Sequence, residues 1–153
     1  MADLIKNETI TRDFVVTVYC VNNNRVLLIF HKKLNMWLPP GGHIDKDELP
    51  CKAAIREFKE ETGLDIELIG QEENIGHVKK LIQPNHIQLE DIKEGHQHID
   101  LVYFGRLKDS NQTKTIQKDE VDDARWFSEK DLESPEITYE VRKFSKLALI
   151  KVK

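Results

Sequence analysis

Apolar and polar positions along the chain fall into short blocks whose period changes at glycine, proline and asparagine clusters. Phe14 to Val21 is β-branched and aromatic with apolar residues on both alternating faces, as in a strand buried on both sides. Asn22-Asn23-Asn24 supplies turn chemistry, and Val26 to Phe30 reads as the returning strand. Beyond the corner Pro39-Pro40-Gly41-Gly42, Pro50 to Thr62 reads as a helix, with Pro50 in its first turn and Gly63 just past its end. Ile66 to Lys79 is extended in part, whereas the polar stretch from Gln83 to His96, with Pro84 and Gly95, reads as a long loop. His98 to Leu107 is a second strong strand, and Lys108 to Glu120 is a polar excursion. Ala124 to Phe127 is a short strand followed by a capped helical turn from Ser128. Ser134-Pro135 opens a final helix with Ile137, Val141, Phe144 and Ala148 at helical spacing. Doubly buried strands with helices fore and aft predict an α/β/α sandwich, one domain over residues 1–153.

The helix from Pro50 carries the chemistry. At about 100° per residue, Cys51, Ala54, Ile55 and Phe58 form one apolar stripe. Glu57, Glu60 and Glu61 stand at i, i+3 and i+4 and converge on the adjoining face. Like charges so placed destabilise a bare helix by roughly 0.2–0.5 kcal/mol per pair, so a cation is expected to offset them. Magnesium suits a site of carboxylate oxygens, and Mn²⁺ is a plausible substitute. Arg56 is expected to point away from this face and to pair with Glu48, holding the loop from Gly42 against the helix.

Composition narrows the setting. Apolar residues at 39% and charged residues at 33% describe a globular chain with a wet surface. No apolar run approaches the ~20 residues of a membrane span, and the first residues lack the apolar centre of a secretory signal. The only cysteines, Cys20 and Cys51, have neither disulfide-framework nor zinc-site spacing, so a reducing cytoplasm fits best. A formal charge of −4 argues against a nucleic-acid partner held by bulk electrostatics. It also requires cations at the site if the substrate is an anion.

From Gly42 the chain reads Gly, five residues, Glu48, seven residues, Arg56-Glu57, Phe58, any residue, Glu60-Glu61, any residue, Gly63, Leu64. A chance match in a chain of this length is on the order of one in ten million. The pattern resembles the Nudix box at every specified position, and Trp37-Leu38-Pro39-Pro40 looks like that family's usual entry to it. The resemblance to Nudix hydrolases implies a mixed sheet with a loop–helix–loop metal site, and hydrolysis of a phosphoanhydride in a nucleoside-diphosphate-linked compound. By position Glu57 and Glu61 match the principal metal ligands, Glu60 a further or water-mediated one, and the Gly41 carbonyl an additional one. Glu120, six residues before Trp126, resembles an acid that relatives recruit from outside the box; Glu90, Asp91 and Glu94 compete for that role. Dimers are common among relatives, so a homodimer is compatible.

The leading expectation is a pyrophosphohydrolase acting on a small nucleotide, such as a nucleoside triphosphate, and releasing a nucleoside monophosphate. The alternatives are a Nudix-fold sensor that binds without turnover, and an RNA 5′-end pyrophosphohydrolase. The ADP-ribose subgroup resembles a pattern with proline about fifteen residues past the box; this chain has Lys79 and Lys80 there. Trp37 and Trp126-Phe127 read as packing, Cys51 as a small buried side chain, and His96 and His98 as one strand face that packs or touches substrate. The C-terminal cations Arg142, Lys143, Lys146, Lys151 and Lys153 read as a solvated helix face.

Overall fold

The first hairpin turns on Asn23 and Asn24, both in the left-handed region (φ 48° and 58°) that asparagine tolerates and that a primed turn demands. It joins β1 (Thr11–Asn22) to β2 (Arg25–His31). The computed structural model describes residues 9–114 and 121–153. Short β3 (Met36–Leu38) and β4 (Gly41–His43) lead into α1 (Pro50–Thr62), and β5 (Ile66–Leu68), β6 (Glu73–Ile75) and β7 (Val78–Lys80) follow. Then come β8 (His86–Lys93), β9 (His96–Leu107), β10 (Val121–Phe127), a 3₁₀ turn (Asp131–Glu133) and α2 (Tyr139–Lys151).

The main sheet runs β10-β2-β1-β9-β5, with β3 against β2, β4 against β1 and β8 against β9; β6 and β7 pair separately. It is mixed, because β1 and β9 are parallel from Thr11 beside His96 to Val21 beside Arg106 while the other pairings are antiparallel. On one face Val16, Val18, Cys20, Leu27, Ile29 and Tyr103 pack with Cys51, Ala54 and Phe58 of α1. On the other, Tyr19, Val21, Leu28, Val102 and Phe104 pack with Val141 and Ala148 of α2. The predicted sandwich is therefore present, with β1 contributing alternate residues to each core.

Helix α1 spans the predicted residues. Pro50 sits in its first turn, and Gly63 ends it in the left-handed conformation (φ 75°), its N–H donating to the Lys59 carbonyl at 2.8 Å. Among the described residues, no helix is long and apolar enough to cross a membrane.

Three expectations need correction. Residues 83–96 are not a long loop: His86–Lys93 is a strand paired with β9, and only the turn at Gly95 (φ 76°) is tight. Its His-Ile-Gln-Leu-Glu alternation is a period-two pattern in which the inward face is polar, which hides it from a search for apolar faces. Helix α2 begins at Tyr139 rather than at Ser134, because Ser134–Ile137 closes a turn of its own (Ile137 N–H to Ser134 carbonyl, 3.1 Å). Arg142 is not part of a solvated face. It is half-buried and donates to the carbonyls of Leu132 (2.7 Å), Ser134 (3.2 Å) and Ile137 (3.1 Å), tying that turn to α2. Trp37 and Phe127 pack edge-to-face at 5.1 Å as expected, although Trp126 is only half-buried.

Phe58 is fully buried and anchors α1 to the sheet. Phe58→Ala is expected to cost about 3–5 kcal/mol of stability by leaving a cavity. Urea denaturation followed by circular dichroism measures it; a loss within about 0.5 kcal/mol would show that the helix is held elsewhere.

Candidate active site

The site forms where α1 meets β4. Glu57 and Glu61, at i and i+4, are 6% and 5% exposed, which is unusual for two carboxylates on one helix face and calls for partners. One partner is backbone: the Gly41 N–H donates to Glu61 Oε1 at 3.2 Å. The other is an approach that only glycine permits. A Cβ on Gly42 would lie 2.4 Å from Glu57 Cδ, so the carboxylate fills the space a side chain would take. Glu60 sits further out, with a side chain 43% exposed.

Arg56 joins these acids to the loop before the helix. Its Nε and one terminal nitrogen form a fork on Glu48 (2.8 and 2.9 Å), and the same terminal nitrogen reaches the His43 carbonyl at 3.1 Å. The other terminal nitrogen donates to Glu57 (2.9 Å) and Glu60 (3.2 Å). The predicted pairing with Glu48 is present, but Arg56 does not point away from the carboxylate face. A guanidinium has five donors in a planar fork, and Glu60 is its i+4 neighbour, so the long side chain serves both sides of the helix. These bonds, that to Glu48 above all, raise the already high pKa of Arg56. Reciprocally, the Arg56 guanidinium, with the Asp45 N–H, holds the Glu48 carboxyl below its ordinary value of 4.5.

On the α2 side, the sheet changes character where the helix no longer covers it. There β1 presents Asp13 and Thr17, β9 presents His96, His98 and Asp100, β8 presents Gln88 and Glu90, and β4 presents His43. Asp100 is buried; its Oδ2 accepts from Thr17 Oγ1 at 2.7 Å, and its Oδ1 has no hydrogen-bond partner. Burial first, and the Glu90 carboxylate second, push its pKa up to about 7. His98 is shifted the other way, below its usual range, by burial and then by His43 and His96. His86 is also lowered by burial; it stacks on Phe144 of α2 with ring centres 3.9 Å apart.

The structure thus brings Gly41, Glu57 and Glu61 together, with Glu60 at the rim. Glu120 lies outside the described residues. Of its competitors, Glu90 faces the polar sheet surface opposite His98, Asp91 accepts from Gln97 at 2.9 Å, and Glu94 is exposed in the hairpin turn. Two site-forming residues carry no weight in the sequence reading. Asp100 had a signal, since it is a lone acid within the apolar run Ile99 to Phe104. Asp13 had none, because its neighbours come from β4 and β9.

The donor set fits a hard divalent cation. Two buried carboxylates and a third at the rim supply oxygen ligands, and Arg56 alone does not neutralise them together with Glu48. A mixed sheet between two helices, with acids of one helix set against a glycine corner, is the architecture of a Nudix hydrolase. The NUDIX domain model matches residues 11–148, and the chain belongs to the Nudix hydrolase family. The fold superposes on a crystal structure of a NUDIX-family hydrolase from Clostridium perfringens with a TM-score of 0.83 and 34% identity, covering 94% of this chain and 100% of that one. It shares its fold with the NUDIX domain of Shewanella oneidensis NrtR complexed with ADP ribose (TM-score 0.65, 20% identity, 94% and 90% covered). It is also 37% identical over 70 residues to the m7GpppN-mRNA hydrolase NUDT17 of Danio rerio, a segment that is 40% of this chain and 23% of that protein.

The Glu48–Arg56 fork generates a prediction with a pH signature. Glu48→Gln is expected to lower stability by about 1.5–3 kcal/mol at pH 7, the range for hydrogen bonds to charged groups. The folded carboxyl has the lower pKa, so its contribution is present above the unfolded value and is lost as pH falls through the folded one. Thermal melts of wild type and variant should therefore differ at pH 7 and converge as pH falls below the ordinary glutamate value of about 4.3. A gap that stays constant down to acid would show that the fork is not its source.

Proposed function

We propose that this protein hydrolyses a phosphoanhydride bond in a small nucleotide, a nucleoside triphosphate or a related compound, and releases a nucleoside monophosphate. The observation that carries the reading is the pair Glu57 and Glu61, both buried and set against Gly42 and the Gly41 N–H. Burying two carboxylates together is costly unless a cation joins them, and a module that only bound nucleotides would gain little from the arrangement. Glu57, Glu61, Glu60 and the Gly41 carbonyl would hold Mg²⁺, for which Mn²⁺ could substitute. The ion would neutralise the phosphates and lower the pKa of the attacking water. One terminal nitrogen of Arg56 donates to both Glu57 and Glu60, which ties the two carboxylates to a common point. Water attacks phosphorus, its proton passes to a glutamate of this group, and the nucleoside monophosphate and the other phosphorylated fragment separate.

We place the nucleotide at the hydrogen-bonding end of the α2 side, where β1, β8 and β9 carry their polar residues beside His43 of β4. Its acids Asp13, Glu90 and Asp100, together with the net charge of −4, favour a small substrate over an RNA 5′ end.

Two tests follow. Glu57→Gln and Glu61→Gln should each lower kcat by roughly a hundredfold or more with the circular dichroism spectrum unchanged, and wild-type turnover should cease in chelator and return with Mg²⁺. Near-normal turnover in either variant, or in metal-free enzyme, would remove the group from the chemistry. For the acid outside the box, Glu120→Gln is expected to reduce kcat more than it changes KM, and more than Glu90→Gln does. A crippled Glu90→Gln beside a near-normal Glu120→Gln moves the role to β8.

A further inference from the structure

Gly42 and His43 are adjacent in β4 but face opposite sides of the sheet. Gly42 meets Glu57 on the α1 side, whereas His43 turns to the α2 side and meets Asp13 of β1 and His98 of β9. His43 Nε2 is 3.1 Å from Asp13 Oδ2, and the His43 and His98 rings stand edge-to-face with centres 5.0 Å apart. The three side chains can each offer one ligand atom, and these atoms all lie within 4.8 Å of one another. A third ring, His96, has its centre 5.2 Å from that of His98, brings its Nε2 within 3.3 Å of Asp13, and has its Nδ1 2.8 Å from Thr11 Oγ1.

We propose that Asp13, His43 and His98 form a second metal site, for a borderline transition-metal ion such as Zn²⁺, separate from the glutamate site on α1. Two imidazoles and a carboxylate are a donor set for Zn²⁺ and its neighbours in the first transition row, whereas Mg²⁺ prefers oxygen alone. Metal–nitrogen bonds of about 2.0–2.1 Å put tetrahedral donors about 3.3–3.5 Å apart, so side-chain rotations of roughly an ångström bring the three atoms onto one ion. Nothing in the backbone has to move, because the ligands sit on three neighbouring strands held in register: Asp13 lies opposite His98, and His43 lies opposite Val15. The residues around the cluster suit the same role. The ring of His96 contacts Asp13 from outside the set and is itself held by the Thr11 hydroxyl, as groups that orient metal ligands are. Three protein ligands leave at least one coordination position open to water or a phosphate oxygen. The ion would tie β1, β4 and β9 together at the strand that leads into the glutamate-bearing helix.

The binding itself does not depend on the proposed hydrolysis, and the test separates the two. Chelator-treated Glu57→Gln/Glu61→Gln protein is titrated with Co²⁺ and read by visible absorption. Nitrogen-ligated four- or five-coordinate Co²⁺ absorbs strongly, whereas Co²⁺ among carboxylates and water absorbs weakly. One equivalent should develop the strong bands, Zn²⁺ should displace it, and excess Mg²⁺ should not. In His43→Gln and His98→Gln, made with both glutamates intact, Co²⁺ affinity for that site should fall at least tenfold with the strong bands lost. Zn²⁺ should raise Tm in the double glutamate variant, and should no longer do so when His43→Gln or His98→Gln is added to it. Strong bands that survive the histidine substitutions, or no uptake once the glutamates are removed, would overturn the proposal and leave the cluster as polar contacts to Asp13.

Discussion

One guanidinium organises the glutamate site. Arg56 donates to Glu48, Glu57, Glu60 and the His43 carbonyl, and thereby connects the loop, the strand before it and two of the helix acids. Without that cation the acids would repel, and the seven residues between Gly42 and Pro50, with the loop acid Glu48, would have little to hold them against α1. Because Arg56 is itself planar and multiply bonded, it limits the rotamers of Glu57 and Glu60 as well as their charge. The geometry of the acids therefore depends on a residue that need not touch a substrate.

The second constraint is space. Glu57 occupies the volume above Gly42 where any side chain would stand, and a Cβ on Gly41 would meet the Val16 carbonyl at 2.2 Å. Two consecutive glycines let β4 lie flush against β1 on one side and against a carboxylate on the other. The glycine corner and the helix acids thus form a single fitted unit, and the buried stripe of Cys51, Ala54 and Phe58 fixes its position on the sheet.

The sheet serves two environments with one set of strands. Where α2 covers it, β1 and β9 present Tyr19, Val21, Val102 and Phe104; where α2 ends, the same strands present Asp13, Thr17, His98 and Asp100. Asp100 shows the strain of that change, since it is buried with one oxygen unpartnered and is pushed toward its protonated form. A polar floor of this kind beside a hydrolytic site is where recognition of a nucleotide belongs on the reading proposed above.

Local information sufficed for much of this protein. The boundaries of α1 follow from proline and glycine placement, the first hairpin from its asparagines, and the shared helix face of Glu57, Glu60 and Glu61 from helical spacing within a dense motif. Strand β8 was illegible because its pattern is inverted: its inward face is polar and its exposed face carries Ile87 and Leu89. The reach of Arg56 to Glu57 and Glu60 was also hidden, since periodicity places a Cβ and not the end of a long side chain. The grouping of Asp13, His43 and His98 depends on the parallel register of β1 with β9 and on the pairing of β4 with β1. Periodicity and motif spacing are properties of neighbours along the chain, so sequence alone determined most of the elements and the acidic helix. Contacts between strands distant in sequence are properties of register, and only the tertiary structure decided those.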